Sequence, residues 1–153
     1  WFVRGKAPRS IMMPRNGVLL IADTGVAGQT KIAVGAVADR LKQDPKMYRP
    51  LIKDIGDTVR QAALALAQDD IITLGQLFNR DQADLSALGV SSPDLDRLIN
   101  VAIDNGAYGA KLTGSGMGGC MIALAASDQA VAITTALKAA NAAKVWEYHF
   151  ESK

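Results

Sequence analysis

At 153 residues, with 49% of them hydrophobic, the chain has enough apolar material for one domain with a substantial core and too little for two ordinary ones. Seventeen basic residues against fifteen acidic leave a net charge of +2, which gives no basis for binding nucleic acid or an acidic membrane surface. One cysteine excludes an internal disulfide framework, no apolar run approaches the ~20 residues that span a bilayer, and no signal-peptide layout opens the chain, so the expected location is the cytoplasm.

The chain opens on Trp1-Phe2-Val3, strand-like and without methionine, and is expected to be severed from a preceding half. Arg4, Lys6, Arg9 and Arg15 then form a basic cluster, readable either as a steering patch for anions or as the polar edge of a hairpin. Pro14-Arg-Asn-Gly17 between Ser10–Met13 and Val18–Ala22 predicts a β-hairpin with an Asn-Gly turn. From Thr30 the period becomes helical, with Val34, Val37 and Leu41 on one face and Pro45 as the stop. Tyr48, Leu51, Ile52, Ile55, Val59, Ala62 and Leu66 follow the spacing of one buried stripe on a second helix, read as core. Leu74, Leu77, Phe78 and Leu85 mark a third helix ending near Gly89. A fourth starts at Ser92-Pro93, cap and first helical position, carries Leu95, Leu98, Ile99 and Ala102 inward, and stops at Gly106. Cys120–Ala125 reads as a buried strand and 128–141 as a last helix. Lys144–Phe150 alternates Trp146, Tyr148 and Phe150 with Glu147 and His149, as a half-exposed strand does. Strands at both ends with helices between them predict a single α+β domain over 1–153, an antiparallel sheet covered by helices on one face.

Between the fourth helix and the Cys120 strand lies Lys111-Leu-Thr-Gly-Ser-Gly-Met-Gly-Gly-Cys120, four glycines within six residues. Glycine tolerates positive φ and has no Cβ, so such a loop either makes a tight turn or folds successive N–H groups inward around an anion. Thr113 and Ser115 add hydroxyls, and Lys111 adds a charge nearby.

This stretch resembles the C-terminal glycine motif of the GHMP small-molecule kinases, the superfamily of galactokinase, homoserine kinase, mevalonate kinase and phosphomevalonate kinase, and is most similar to the mevalonate kinase branch. Leu20-Ile-Ala-Asp-Thr-Gly-Val-Ala-Gly-Gln-Thr-Lys31 resembles the strand, turn and Thr-Lys helix start that opens the C-terminal domain of that branch. The two motifs stand in the same order, and the resemblance spans essentially the whole chain. It implies a ferredoxin-like C-terminal domain of a kinase that phosphorylates the mevalonate 5-hydroxyl in isoprenoid synthesis, the alternatives being a GHMP kinase of the phosphomevalonate, galactose or homoserine type or a non-catalytic domain whose glycine loop binds an anion. The Mg-ATP site and the catalytic aspartate would then lie mostly in an N-terminal half absent from this sequence, so no catalytic residue is expected here. The resemblance further implies that Gly114, Ser115, Gly116, Gly118 and Gly119 line the nucleotide and phosphoryl-transfer cleft. Ser115 stands where the family has alanine and Met117, at the loop's tip, where it has glycine.

The same resemblance brings Thr24, Thr30 and Lys31 toward the small-molecule acceptor. For Thr30 the alternative is helix capping, and for Asp23 it is bracing of the turn. Cys120 is read as a packing thiol and His149 as solvent-facing, since one cysteine and one histidine cannot make an ordinary zinc site. A domain cut from its other half exposes whatever lined the cleft, and homodimer formation would be one way to cover it.

Overall fold

Val18, Leu20 and Ala22 are fully buried, while Leu19, Ile21 and Asp23 between them are half-buried. That is the two-residue period of a strand whose faces are covered unequally. The computed structural model, which describes residues 2–11 and 14–150, makes this strand, β1 (Val18–Asp23), the frame of the molecule. Four helices follow: α1 (Thr30–Gln43), α2 (Pro45–Ala67), α3 (Ile71–Ala87) and α4 (Pro93–Asp104). Then come β2 (Gly109–Leu112), β3 (Cys120–Ala125), a 3-10 turn at Ser127–Gln129, α5 (Ala130–Ala139) and β4 (Lys144–His149). The sheet is antiparallel in the order β2-β3-β1-β4, with Leu20 opposite both Ala123 and Glu147.

Helices α4 and α5 cover one face of this sheet. Leu95, Leu98, Ile99 and Ala102 of α4, with Ile133 and Leu137 of α5, pack on Leu20, Met121, Ala123 and Leu112. Burying a large aliphatic side chain of this kind stabilises by roughly 1.5–3 kcal/mol, so this layer is where the fold is held. The α+β sheet expected from the sequence is therefore present. On the opposite face, α2 and α3 cover only the end where Leu124 and Phe150 meet Ala65, Leu74 and Leu77. No helix among the described residues is long and apolar enough to cross a membrane.

Several expectations change. The Asn-Gly hairpin does not form, because both edges of β1 are taken by β3 and β4. Ser10 and Ile11 belong to no strand, and Met12 and Met13 lie outside the described residues. Gly17 serves a different purpose: at φ +113 it lets the chain pass where a Cβ would stand 2.9 Å from the Ala125 carbonyl. Strand β2, unannounced by any alternation in its four residues, borders the sheet.

The α2 stripe is not a buried stripe either. Thr58 and Ala65 are its buried residues, whereas Ile52 and Val59 are exposed. Helix α3 packs closely on only one flank of so wide a stripe, α1 meets it less closely, and the rest lines two cavities. Val59, Ala62 and Leu66 border one of about 270 Å³, with Leu77, Phe78 and Ile122. Ile52 and Ile55 border another of about 280 Å³, which reaches Val34, Val37 and Ser115. On β4 the expected half-exposure is not seen: Trp146 and Tyr148, beside Ile21 and Leu19, are exposed along with Glu147 and His149, and of the three aromatics only Phe150 is buried.

Candidate functional site

The glycine loop joins β2 to β3, and its backbone is left-handed at nearly every residue. Gly114, Gly116, Gly118 and Gly119 have φ of +83, +79, +122 and +77, and Met117 joins them at +55. Two connections hold it down. The Met117 N–H donates to the Val90 carbonyl at 2.8 Å, on the link between α3 and α4. The Gly119 N–H donates to the Val26 carbonyl at 2.7 Å, on the link between β1 and α1. These seats are tight, since a Cβ on Gly116 would lie 2.0 Å from the Val90 oxygen and one on Gly118 2.8 Å from that of Val26. Met117 is not a bulky tip; its side chain tucks against the core beneath the loop.

What remains is a set of donors. Among the described residues, nothing accepts from the N–H groups of Gly114, Ser115, Gly116 or Gly118. Successive uncommitted amides on alternating left-handed backbone make an anion-binding concavity. Gly119, expected with them, differs: its N–H is already given to Val26.

Helix α1 begins directly against this loop. Thr30 is its first helical residue and caps nothing; its hydroxyl lies 2.9 Å from the Ser115 hydroxyl. Gln29, at the cap position, makes no side-chain cap, and the first turn carries no acidic residue. The N-terminal partial positive charge of α1 is thus unanswered by the protein, and exposed Lys31 adds a full one at the same end. A cation there is opposed by the helix field unless an anion sits between them.

Thr24 goes elsewhere. It is 8% exposed, and its hydroxyl donates to the Gly119 carbonyl at 2.8 Å while its own N–H donates to the same oxygen at 3.0 Å. Expected beside Thr30 and Lys31, it instead fastens the end of the glycine loop to the end of β1. Asp23 braces the turn as expected, accepting from the Gly25 N–H at 2.9 Å. Lys111 is also removed from the loop: it points to the α3 side and pairs with Asp81 at 3.3 Å, both side chains largely buried. Burial, with Asp23 second, pushes the Cys120 thiol above its ordinary value, which keeps it a thiol rather than a nucleophile. His149 is exposed and lies 3.3 Å from Glu147. Among the described residues no three His, Cys, Asp or Glu side chains gather as metal ligands.

The site is therefore one corner, made of four loop amides, the Thr30 and Ser115 hydroxyls and the open start of α1, and shaped for a phosphate or carboxylate. Residues 62–143 match the model of the GHMP kinases C-terminal family. Mevalonate kinase of Pyrococcus abyssi is 37% identical over 127 residues, covering 80% of this chain and 38% of its own length. That of Aeropyrum pernix is 39% identical over 127 residues, covering 79% and 38%. The crystal structure of L. major mevalonate kinase in complex with R-mevalonate superposes with a TM-score of 0.88 at 32% identity, over 95% of this chain and 45% of that one. The chain thus spans less than half the length of the relatives it matches. With its family model covering more than half of its residues and its fold superposing on those kinases, the chain belongs to the GHMP kinases, as their C-terminal domain.

Proposed function

We propose that this chain is the C-terminal half of a mevalonate kinase, and that its glycine corner holds the phosphoryl group in transit from Mg-ATP to the mevalonate 5-hydroxyl. The observation that carries the reading is the meeting of four uncommitted loop amides with the uncapped start of α1 at the Thr30–Ser115 contact. Relatives named mevalonate kinase support the choice of acceptor.

The donor set fits an anion of this kind, since loop amides accommodate oxygens without regard to their neighbours. Mg-ATP, when bound, supplies the γ-phosphoryl group and the metal's charge, with its remaining ligands from the N-terminal half. In this chain, the amides of Gly114, Ser115, Gly116 and Gly118 stabilise negative charge on the equatorial oxygens as it builds. The Thr30 hydroxyl, kept near the loop by Ser115, orients the acceptor, and Lys31 supplies charge for a carboxylate. The acceptor oxygen bonds to phosphorus as the bridging oxygen departs with ADP, and the hydroxyl proton goes to a base in the other half.

The test is mevalonate-dependent ADP release by the complete kinase that contains this chain, against a panel of other small alcohols. Turnover with mevalonate above the rest is expected, and Thr30→Val should lower it on the order of tenfold to a hundredfold by misorienting the acceptor. Turnover with another alcohol only would replace the acceptor, and silence with every alcohol in a folded enzyme would end the kinase reading.

A further inference from the structure

Buried Gln82 of α3 lies beneath the glycine loop without touching the corner itself. Its Oε1 accepts from the Leu112 N–H at 2.9 Å, and Leu112 is the last residue of β2 before the loop begins. Its Nε2 lies 3.1 Å from the Ser91 hydroxyl, 3.1 Å from that of Ser86 and 3.4 Å from Asp96 Oδ1. Ser91 in turn donates to Asp96 at 2.5 Å and follows Val90, whose carbonyl receives the Met117 N–H. One planar amide thus refers both the entry of the loop and its midpoint to a single helix.

Geometry explains why a helix can do this. Strand β2 is an edge, and its outward groups need partners. Asn79 and Gln82, three residues apart on one face of α3, supply them in place of a fifth strand. Asn79 donates to the Tyr108 carbonyl at 3.2 Å and accepts from the Ala110 N–H at 3.0 Å, and Gln82 accepts from Leu112. Only Gln82 extends the pairing to the loop.

We infer that Gln82 is a positioning residue for phosphoryl transfer, setting where the loop amides of Gly114–Gly118 stand relative to α1. The kinetic part of the inference rests on the kinase reading above. Displacing such a donor set by about an ångström costs on the order of a hundredfold in rate. Neither partner of the amide can be replaced by water without loosening the frame, because the side chain is buried.

The experiment compares Gln82→Met, which keeps the length and removes the hydrogen bonds, with Asn79→Ala, which opens the same edge two residues farther from the loop. Both are placed in the complete kinase. Gln82→Met is expected to lower kcat on the order of tenfold to a hundredfold with KM for mevalonate changed less than about threefold. It should also speed amide exchange across 113–119. Asn79→Ala is expected to lower thermal stability with kcat and loop exchange unchanged. Equal kcat losses in the two variants, or wild-type kcat and loop exchange in folded Gln82→Met, would overturn the inference. Should Gln82→Met fail to fold, Ser91→Ala cuts the Val90 side alone. A smaller kcat loss with faster exchange at Met117 would then uphold it, and no change would overturn it. If the wild-type kinase acts on no alcohol, the function reading has failed, and exchange across 113–119 decides the positioning by itself.

Discussion

Asp84 is a carboxylate in the wrong place. One of its oxygens is buried with no hydrogen-bond partner among the described residues, and burial raises its pKa, with repulsion from Asp54 adding to it. A folded pKa above the unfolded one means that the unfolded state is the more acidic, so this group costs stability above its folded pKa and the cost fades as pH falls. Asp84→Asn should therefore raise the urea midpoint at pH 7, and the two proteins should converge near pH 3. A midpoint lowered at pH 7 would mean that the carboxylate has a bonding role. At this scale the sequence was legible in type and not in direction. Thr30, Ser115 and the glycines could be chosen from the motif. That Thr24 turns back to Gly119, and that the Gly119 N–H is spent on Val26, depends on loops distant in sequence closing on one another. Gln82 gave no signal because a glutamine on a helix reads as a solvated residue until the edge it faces is known.

At the level of elements, the contact of α3 with β2 is set by two glycines facing each other. A Cβ on Gly109 would stand 1.7 Å from the Gly75 carbonyl oxygen, and one on Gly75 would stand 2.4 Å from Tyr108 Cβ and 2.7 Å from its backbone carbon. Neither neighbour is the end of a flexible side chain, so one of the elements must shift. Alanine at 75 gains about 1 kcal/mol of helix propensity, but overpacking of this kind costs roughly 1–3 kcal/mol and moves the helix that carries Asn79 and Gln82. Gly75→Ala is expected to be destabilising by up to about 2 kcal/mol in urea unfolding, and a stabilised protein would show that the contact is looser than the geometry states. The helices were readable because their signals, apolar spacing and the Ser92 cap, are local, and Ser92 accepts the Leu95 N–H at 3.4 Å; Asp44 and Asp70, not singled out in the sequence, cap α2 and α3 in the same way at 3.0 Å each. Strand β2 was not, since four residues with glycine at the first position carry no period, and only the partner strand β3 makes them a strand.

Across the whole molecule, three loops from distant parts of the chain converge on one end of the sheet: β1 to α1, α3 to α4, and β2 to β3. The sheet order makes this convergence. Placing β1 between β3 and β4 puts the start of α1 beside a loop some 85 residues away in sequence, as the Thr30–Ser115 contact records. The sequence predicted the layer and the two motifs, but only the strand order could place the motifs side by side. The same order governs how the molecule comes into being. Val18 must wait for Ala125 and then His149 before either edge of its strand is satisfied. Contacts that close such long loops put a domain among the slower folders, in milliseconds to seconds. Refolding from urea should therefore be slow for a mostly helical chain, and a microsecond phase carrying the full amplitude would contradict it. On a ribosome the delay is longer. At roughly 5–20 residues per second, β1 is synthesised on the order of ten seconds before its last neighbour. For that interval the future centre of the sheet is a bare apolar segment, in need of shelter from other nascent chains.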